Sequence, residues 1–170
     1  NEEKRMSKNG MMIGLLTVLA GANPIVAEDV MVTAGEFVHI YDPSVGEKEK
    51  WYINDHCFVY GSDGSWHMFG ITHAEPEAPL DERIFAHASA RTLLQTPWDK
   101  QPPAMAFAPE APWNEAHLWA PHVIRHEGLY YMFYCAGDKD HSQYKLHLAT
   151  SPDLKTWTRH PKNPLVVDGF

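Results

Sequence analysis

From residue 31 onward the apolar residues come in short runs broken by turn chemistry, and no stretch after residue 30 shows the three-to-four spacing of an amphipathic helix. The β-rich runs are His56 to Tyr60, Ser65 to Thr72, Arg83 to Ala88, His122 to Arg125, Leu129 to Cys135 and Tyr144 to Ala149. Gly61-Ser62-Asp63-Gly64, His126-Glu127-Gly128 and Gly137-Asp138-Lys139-Asp140 separate them, and Asp63-Gly64 is a strong hairpin signal. The runs also repeat. Gly64-Ser65-Trp66-His67-Met68-Phe69 matches Gly128-Leu129-Tyr130-Tyr131-Met132-Phe133, and Ile84-Phe85-Ala86-His87-Ala88-Ser89 matches Leu146-His147-Leu148-Ala149-Thr150-Ser151. Each unit reads strand, turn, strand, longer loop, strand, then a segment bearing a tryptophan, Trp98 in the first and Trp157 in the second. A multi-strand repeat of this size predicts an all-β chain of propeller blades, about two of them here. Blades close into a ring. The run Asn163-Pro164-Leu165-Val166-Val167-Asp168-Gly169-Phe170 reads as the lead-in to a third unit, so the protein is expected to continue past Phe170.

The first residues follow another pattern. Lys4, Arg5 and Lys8 precede an apolar run from Met11 to Ala22, 12 residues long and too short for a membrane-spanning helix, which takes about 20. It ends in the small-x-small pattern Ala20-Gly21-Ala22. Residues 1–22 are expected to be a secretory signal peptide, with an alternative end at 27, and residues 23–170 the mature part. That places the protein outside the cell or in the periplasm, with no membrane attachment in the mature form.

The balance of 14 Lys and Arg against 22 Asp and Glu gives a net charge of -8. This disfavours nucleic acid and anionic lipid as partners, since both need clustered positive charge. Six Trp, seven Tyr, seven Phe and 11 His suit a carbohydrate ligand, which offers apolar C–H faces and polar edges, and suit a β-sheet core equally well. The His are scattered, without His-Glu-x-x-His or Cys-x-x-Cys spacing, so no metal site and no cofactor is expected, and a structural ion in the channel has no support in the sequence. Cys57 and Cys135 lie inside apolar runs and read as small hydrophobes, although export would permit a disulfide.

Three segments carry candidate chemistry. In Trp51-Tyr52-Ile53-Asn54-Asp55-His56, Asp55 is expected at the start of the first blade's inner strand, where a carboxylate can face the channel mouth; a turn-capping Asp is the plainer alternative. In His117-Leu118-Trp119-Ala120-Pro121-His122-Val123, at the corresponding point of the second blade, Trp119 offers a stacking surface and His122 a hydrogen-bonding group, or both serve the core. His73 closes the first hairpin, as a cleft residue or a loop residue.

These segments carry a family resemblance. Trp51-Tyr52-Ile53-Asn54-Asp55 followed by Trp66-His67-Met68-Phe69 resembles the first-blade motif of glycoside hydrolase family 32. Trp119-Ala120-Pro121-His122-Val123 with Gly128-Leu129-Tyr130-Tyr131-Met132-Phe133-Tyr134 is similar to the second-blade motif of family 43. Ala149-Thr150-Ser151-Pro152-Asp153-Leu154-Lys155-Thr156-Trp157 resembles the Ser-x-Asp-Leu-x-x-Trp segment of the superfamily of families 43, 62, 32, 68 and 117. The likeness spans residues ~37 to 170. It implies a five-bladed β-propeller with the site at one end of the channel, and a glycosidase acting on a poly- or oligosaccharide. Asp55 would be the base or nucleophile, and a second Asp and a Glu acid would come from chain beyond Phe170, leaving this portion inactive alone. Trp51, Asn54, His73, Trp119 and His122 would bind the sugar. The sequence departs from family 43 in placing His122 where an acidic residue usually follows Trp-Ala-Pro, and Glu110 and Glu115, in or near the Pro-rich loop, are poor substitutes for the acid. A non-catalytic sugar-binding propeller, and glycosyl transfer or phosphorolysis on the same scaffold, are the rival readings.

Overall fold

The computed structural model describes residues 31–75, 82–113, 115–137 and 144–165. The expected signal peptide and the last five residues of the third-unit lead-in lie outside them. Within the unit Glu36–Phe170, eight strands alternate with turns: β1 Trp51–Tyr60, β2 Trp66–Ala74, β3 Ile84–Ala90, β4 Asp99–Ala106, β5 His117–His126, β6 Leu129–Gly137, β7 Tyr144–Ser151 and β8 Thr158–Arg159. They form two antiparallel meanders, β1-β2-β3-β4 and β5-β6-β7-β8. The strands are all-β blades of the expected kind. Two of them, β4 and β8, are additions to the sequence reading, and each begins directly after the Trp that ends its unit.

Turn residues explain the hairpins. Glu127 (φ 48°) and Gly128 (φ 82°) form a two-residue connection with both φ angles positive, the geometry that matches the twist of antiparallel strands. The first hairpin is longer. Gly61 N–H donates to the Ser65 carbonyl at 2.7 Å, Ser65 N–H donates to Asp63 Oδ1 at 3.1 Å, and Gly64 takes the left-handed φ of 78°.

The two sheets meet face to face. Blade 1 contributes Cys57, Val59, Phe69, Ile71 and Phe85; blade 2 contributes Leu118, Val123, Tyr130, Met132 and Tyr134, all buried in one cluster. Phe85 meets Tyr134 edge-on at 5.9 Å and Phe69 meets Trp157 edge-on at 5.6 Å. Each aromatic or aliphatic side chain fully buried here contributes about 1.5–3 kcal/mol relative to exposure. Ser62 N–H donates across the seam to the Tyr130 hydroxyl at 2.7 Å. Registers relate the blades as successive units. Phe69 pairs with Cys57 and His87 on the face that blade 1 turns to blade 2, and Phe133 pairs with His122 and Leu148 on the opposite side of blade 2 from blade 1. Blade 2 therefore repeats that apolar face outward, where Ile124 and Leu146 remain 43% and 42% exposed.

The Ser-x-Asp-Leu-x-x-Trp segment proves to be a structural clamp. Ser151 Oγ accepts from the N–H groups of Asp153 (3.2 Å) and Leu154 (2.8 Å), and Asp153 Oδ1 accepts from Lys155 (2.9 Å) and Thr156 (2.8 Å). The backbone N–H groups of Thr156 and Lys155 hold the Asp153 carboxyl below its usual range. This turn drives Leu154, at φ 64°, into the core and delivers Trp157 to Phe69.

Glu115, which the sequence places near the Pro-rich loop, is a buried lock and has no access to a ligand. Its carboxylate accepts from Ala108 N–H (3.0 Å), Trp113 Nε1–H (3.1 Å), the Tyr134 hydroxyl (3.3 Å) and Arg159 Nε–H (3.2 Å), and Arg159 Nη2 donates both to it and to the Ala106 carbonyl. The end of β4, the crossover, β6 and β8 are joined at one point. Burial, then the Glu115 charge, push the Tyr134 hydroxyl pKa up.

A second buried polar chain runs behind the seam. Asp63 accepts from His67 Nε2–H at 3.2 Å, so His67 Nδ1 is the acceptor for His87 Nε2–H at 2.8 Å. His87 stacks on Phe69 at 4.7 Å. Burial, with the charges of His67 and Lys155 against it, lowers the His87 pKa from 6.5 to about 3.

Two outcomes follow for the whole protein. Glu115→Ala strands the half-buried Arg159 guanidinium and should cost about 3 kcal/mol or more, read as a lowered denaturant midpoint. For His87, the unfolded chain takes a proton below pH 6.5 while the folded chain does so only near 3. Its contribution is complete above pH 6.5 and drains away as pH falls toward 3, by up to about 1.4 kcal/mol per pH unit. Unfolding curves at pH 7 and pH 5 should show this loss, and His87→Gln, which keeps an N–H toward His67, should remove that part of it; an unchanged slope would exclude His87 as its source.

Candidate functional site

The alternation of β1 breaks at Asn54-Asp55-His56, three exposed residues in succession between Ile53 and Cys57. The cause is a β-bulge. Asn54 pairs with Ile71 and Cys57 with Phe69, so Asp55 and His56 share the single partner Gly70. Asp55 takes φ 34°, a conformation that costs an L-residue roughly 1–2 kcal/mol. Asp55 thus lies inside β1, not at the strand's start as the sequence suggested: pairing begins already at Trp51 with Ala74.

Blade 2 builds the same bulge. Trp119 pairs with Cys135 and His122 with Phe133, so Ala120 and Pro121 face one residue, and Ala120 takes φ 48°. The residue that corresponds to Asp55 is therefore Ala120, and His122 corresponds to Cys57. The strands β1 and β5 that carry the two bulges are neighbours. They are tied at Cys57, whose buried sulfur faces the backbone N–H groups of Phe69 and Val123, with burial holding the thiol pKa up. Asp55 and Ala120 stand two and three residues upstream of that tie. Both cysteines are free thiols.

Close packing shapes the bulge in blade 1. A Cβ on Gly70 would meet the Cβ of His56 at 2.9 Å and the Cδ1 and Cγ1 of Ile53 at 3.0 Å, so only glycine leaves room for the displaced chain. Inside the bulge, Asp55 N–H donates to Asn54 Oδ1 at 2.9 Å. The Asp55 carboxylate is open to solvent.

The expected sugar-binding residues fall into separate groups. His73 pairs across from Tyr52, with ring centroids 6.3 Å apart, and lies 6.4 Å from the Trp51 ring; its Nδ1–H donates to the Ala74 carbonyl at 2.7 Å. Trp51 also lines a largely apolar cavity of about 90 Å³ with Tyr41, Thr72 and Lys100. That cavity lies beneath the segment 39–47, which Lys100 Nζ anchors through the carbonyls of Pro43 (2.7 Å) and Val45 (3.0 Å) and the Glu47 carboxylate (2.6 Å). Asp55 is not among its walls. In blade 2, His122 is exposed, while the Trp119 ring lies 5.0 Å from Tyr144, stacked, and 4.2 Å from His117.

Sequence reasoning missed Tyr52 and Glu82. The Tyr52 hydroxyl donates to the buried Glu82 carboxylate at 2.7 Å, and the Glu82 carbonyl accepts from Leu118 N–H at 3.0 Å, which ties the start of β1 to the start of β5. It also missed Tyr144 as the companion of Trp119. Among the described residues no group of three His, Cys, Asp or Glu is arranged to hold a metal ion.

No protein family and no curated protein matches the chain by sequence. Solved structures do match it in shape. CoXyl43, a GH43 β-xylosidase/α-arabinofuranosidase from a compost microbial metagenome in complex with xylotriose, aligns at TM-score 0.54 and 20% identity over 65% of this chain and 35% of its own. A GH43_1 enzyme from Xanthomonas citri aligns at TM-score 0.56 and 14% identity over 65% and 33%. A glycosyl hydrolase from Bacteroides ovatus aligns at TM-score 0.52 and 16% identity over 65% and 31%. The chain spans about a third of the length of the structures it matches. Two four-stranded meanders packed through one apolar seam, with bulged neighbouring strands, are thus two blades of the β-propeller fold seen in glycoside hydrolases.

Proposed function

We propose that this chain is part of a secreted or periplasmic glycosidase and supplies one of its catalytic carboxylates, Asp55. One observation carries the reading. Asp55 holds an exposed carboxylate in a left-handed bulge on β1, beside a second strand bulged at the corresponding place. The same bulge recurs in blade 2 at Ala120, so the strain belongs to the blade, and what distinguishes blade 1 is that the displaced, exposed position carries a carboxylate. The shape likeness to glycoside hydrolase propellers supports the glycosidase scaffold.

In this reading Asp55 works ionised, as base toward water or as nucleophile at the anomeric carbon. A protonated carboxyl from elsewhere in the protein gives its proton to the leaving oxygen. His122 and the Trp119–Tyr144 pair on blade 2, and Trp51 with His73 on blade 1, supply polar and aromatic surface for the sugar. The substrate class is a poly- or oligosaccharide, and xylotriose, the ligand of CoXyl43, is the first probe to try.

In the full-length protein Asp55→Asn should reduce xylotriose hydrolysis by at least ~10³-fold while thermal unfolding stays within a degree or two of wild type. Turnover near the wild-type rate would remove Asp55 from the mechanism. Sugar binding without hydrolysis by the wild type would favour a lectin.

A further inference from the structure

We propose that Asn54 is a positioning residue, which sets the Asp55 carboxylate through the Asp55 backbone and makes no essential contact with sugar; this rests on the assignment of Asp55 as catalytic carboxylate. The side-chain oxygen of Asn54 is engaged locally. Its Oδ1 accepts the Asp55 N–H at 2.9 Å, closing a small ring around the bond whose rotation fixes where Asp55 points. Asp55 stands at φ 34° inside the bulge, where the register jumps directly from Asn54 to Cys57. Without Asn54 Oδ1 the N–H would lose this acceptor, and the bulge would have one constraint fewer at the residue that matters for chemistry.

Blade 2 provides an internal control. It forms the same bulge, with Ala120 at φ 48°, and the residue in the place of Asn54 is Trp119, which has no acceptor to offer. The bulge is therefore a property of the blade and does not need the side-chain bond. What the bond adds in blade 1 is definition of the one position that carries a carboxylate. Gly70 acts from the other side. With His56 Cβ and the Ile53 side chain at about 3 Å from where its own Cβ would be, it leaves the space that admits the bulge, while Asn54 confines the bulge by hydrogen bonding. Misplacing a reacting group by about 1 Å costs on the order of 10²-fold in rate.

The test compares Asn54→Ala, Asn54→Asp and Asp55→Asn in the full-length protein, with xylotriose hydrolysis and hydrogen exchange of the Asp55 amide as readouts. Asn54→Ala should lower kcat by ~10–100-fold with KM within about threefold, keep the wild-type melting temperature, and speed exchange at the Asp55 amide. Asn54→Asp keeps the acceptor oxygen. It should restore amide protection and most of kcat, at a pH optimum moved upward because a second carboxylate beside Asp55 disfavours its ionisation. A rise in KM alone in Asn54→Ala, or failure of Asn54→Asp to recover protection and rate together, overturns the proposal in favour of direct sugar contact. Loss of activity in Asp55→Asn with wild-type rates in Asn54→Ala overturns it while sparing the assignment of Asp55. Wild-type rates in Asp55→Asn, or xylotriose left intact by the wild-type protein, remove the catalytic role on which it rests, and the amide measurement then decides the bond alone.

Discussion

Everything in this chain depends on the apolar seam between the two meanders. A four-stranded antiparallel sheet with one covered face is marginal alone, because its backbone hydrogen bonds are largely exchanged for bonds with water and its ordering entropy must be offset by burial. Here the burial comes from Phe69, Phe85 and Ile71 on one side and Leu118, Met132 and Tyr134 on the other. Because β1 and β5 belong to this seam, the packing that stabilises the fold also fixes the spacing of the two bulged strands. The site is a by-product of the core.

Polar groups accompany the seam where apolar packing cannot specify register. Glu115 collects donors from four parts of the chain, the Asp63–His67–His87 chain satisfies two buried imidazoles in series, and Tyr52 with Glu82 joins the leading ends of β1 and β5. Each would be expensive to bury unpaired, and each is paired. The Ser151–Trp157 segment does the same with a turn: a hydrogen-bonded loop converts a strained Leu154 into a core residue and a Trp157 into a wedge. Glu115 and the Ser151–Trp157 segment read in the sequence as candidate chemistry and as motif, and the structure assigns both to holding the blades together.

What was legible in the sequence was local. Hairpins announced themselves through Asp63-Gly64 and Gly128, whose backbone angles few other residues adopt, and alternation located β2, β3, β6 and β7. β4 was hidden because Pro102 and Pro103 argue against a strand, and they are tolerated only because β4 is outermost. β8, two residues long, has no pattern to show. The bulges were invisible for a physical reason: a bulge resets the in–out alternation, so Asn54-Asp55-His56 looks like the end of a turn when it is the middle of a strand. Asp55 was singled out from its motif, and the structure places it exposed in the middle of β1. Its neighbours were harder, since whether an Asn side chain faces a ligand or its own backbone is decided by torsion angles that no spacing rule records.

The prolines of β4 matter for more than assignment. The rim of a blade is a row of backbone groups with nothing beyond it, and such a row invites a strand from another molecule. Pro102 and Pro103 deprive this rim strand of amide donors, and the register there is already broken between Phe85 and His87. Ile40 accepts from Trp98 N–H just before the strand, and Lys100 clasps the segment 39–47 across its beginning. In blade 2 the rim strand is simply too short to serve as a template. Among the described residues, both rims are closed to strand-by-strand growth, by two different means, so neither blade offers its outer edge as a template for a strand of another chain.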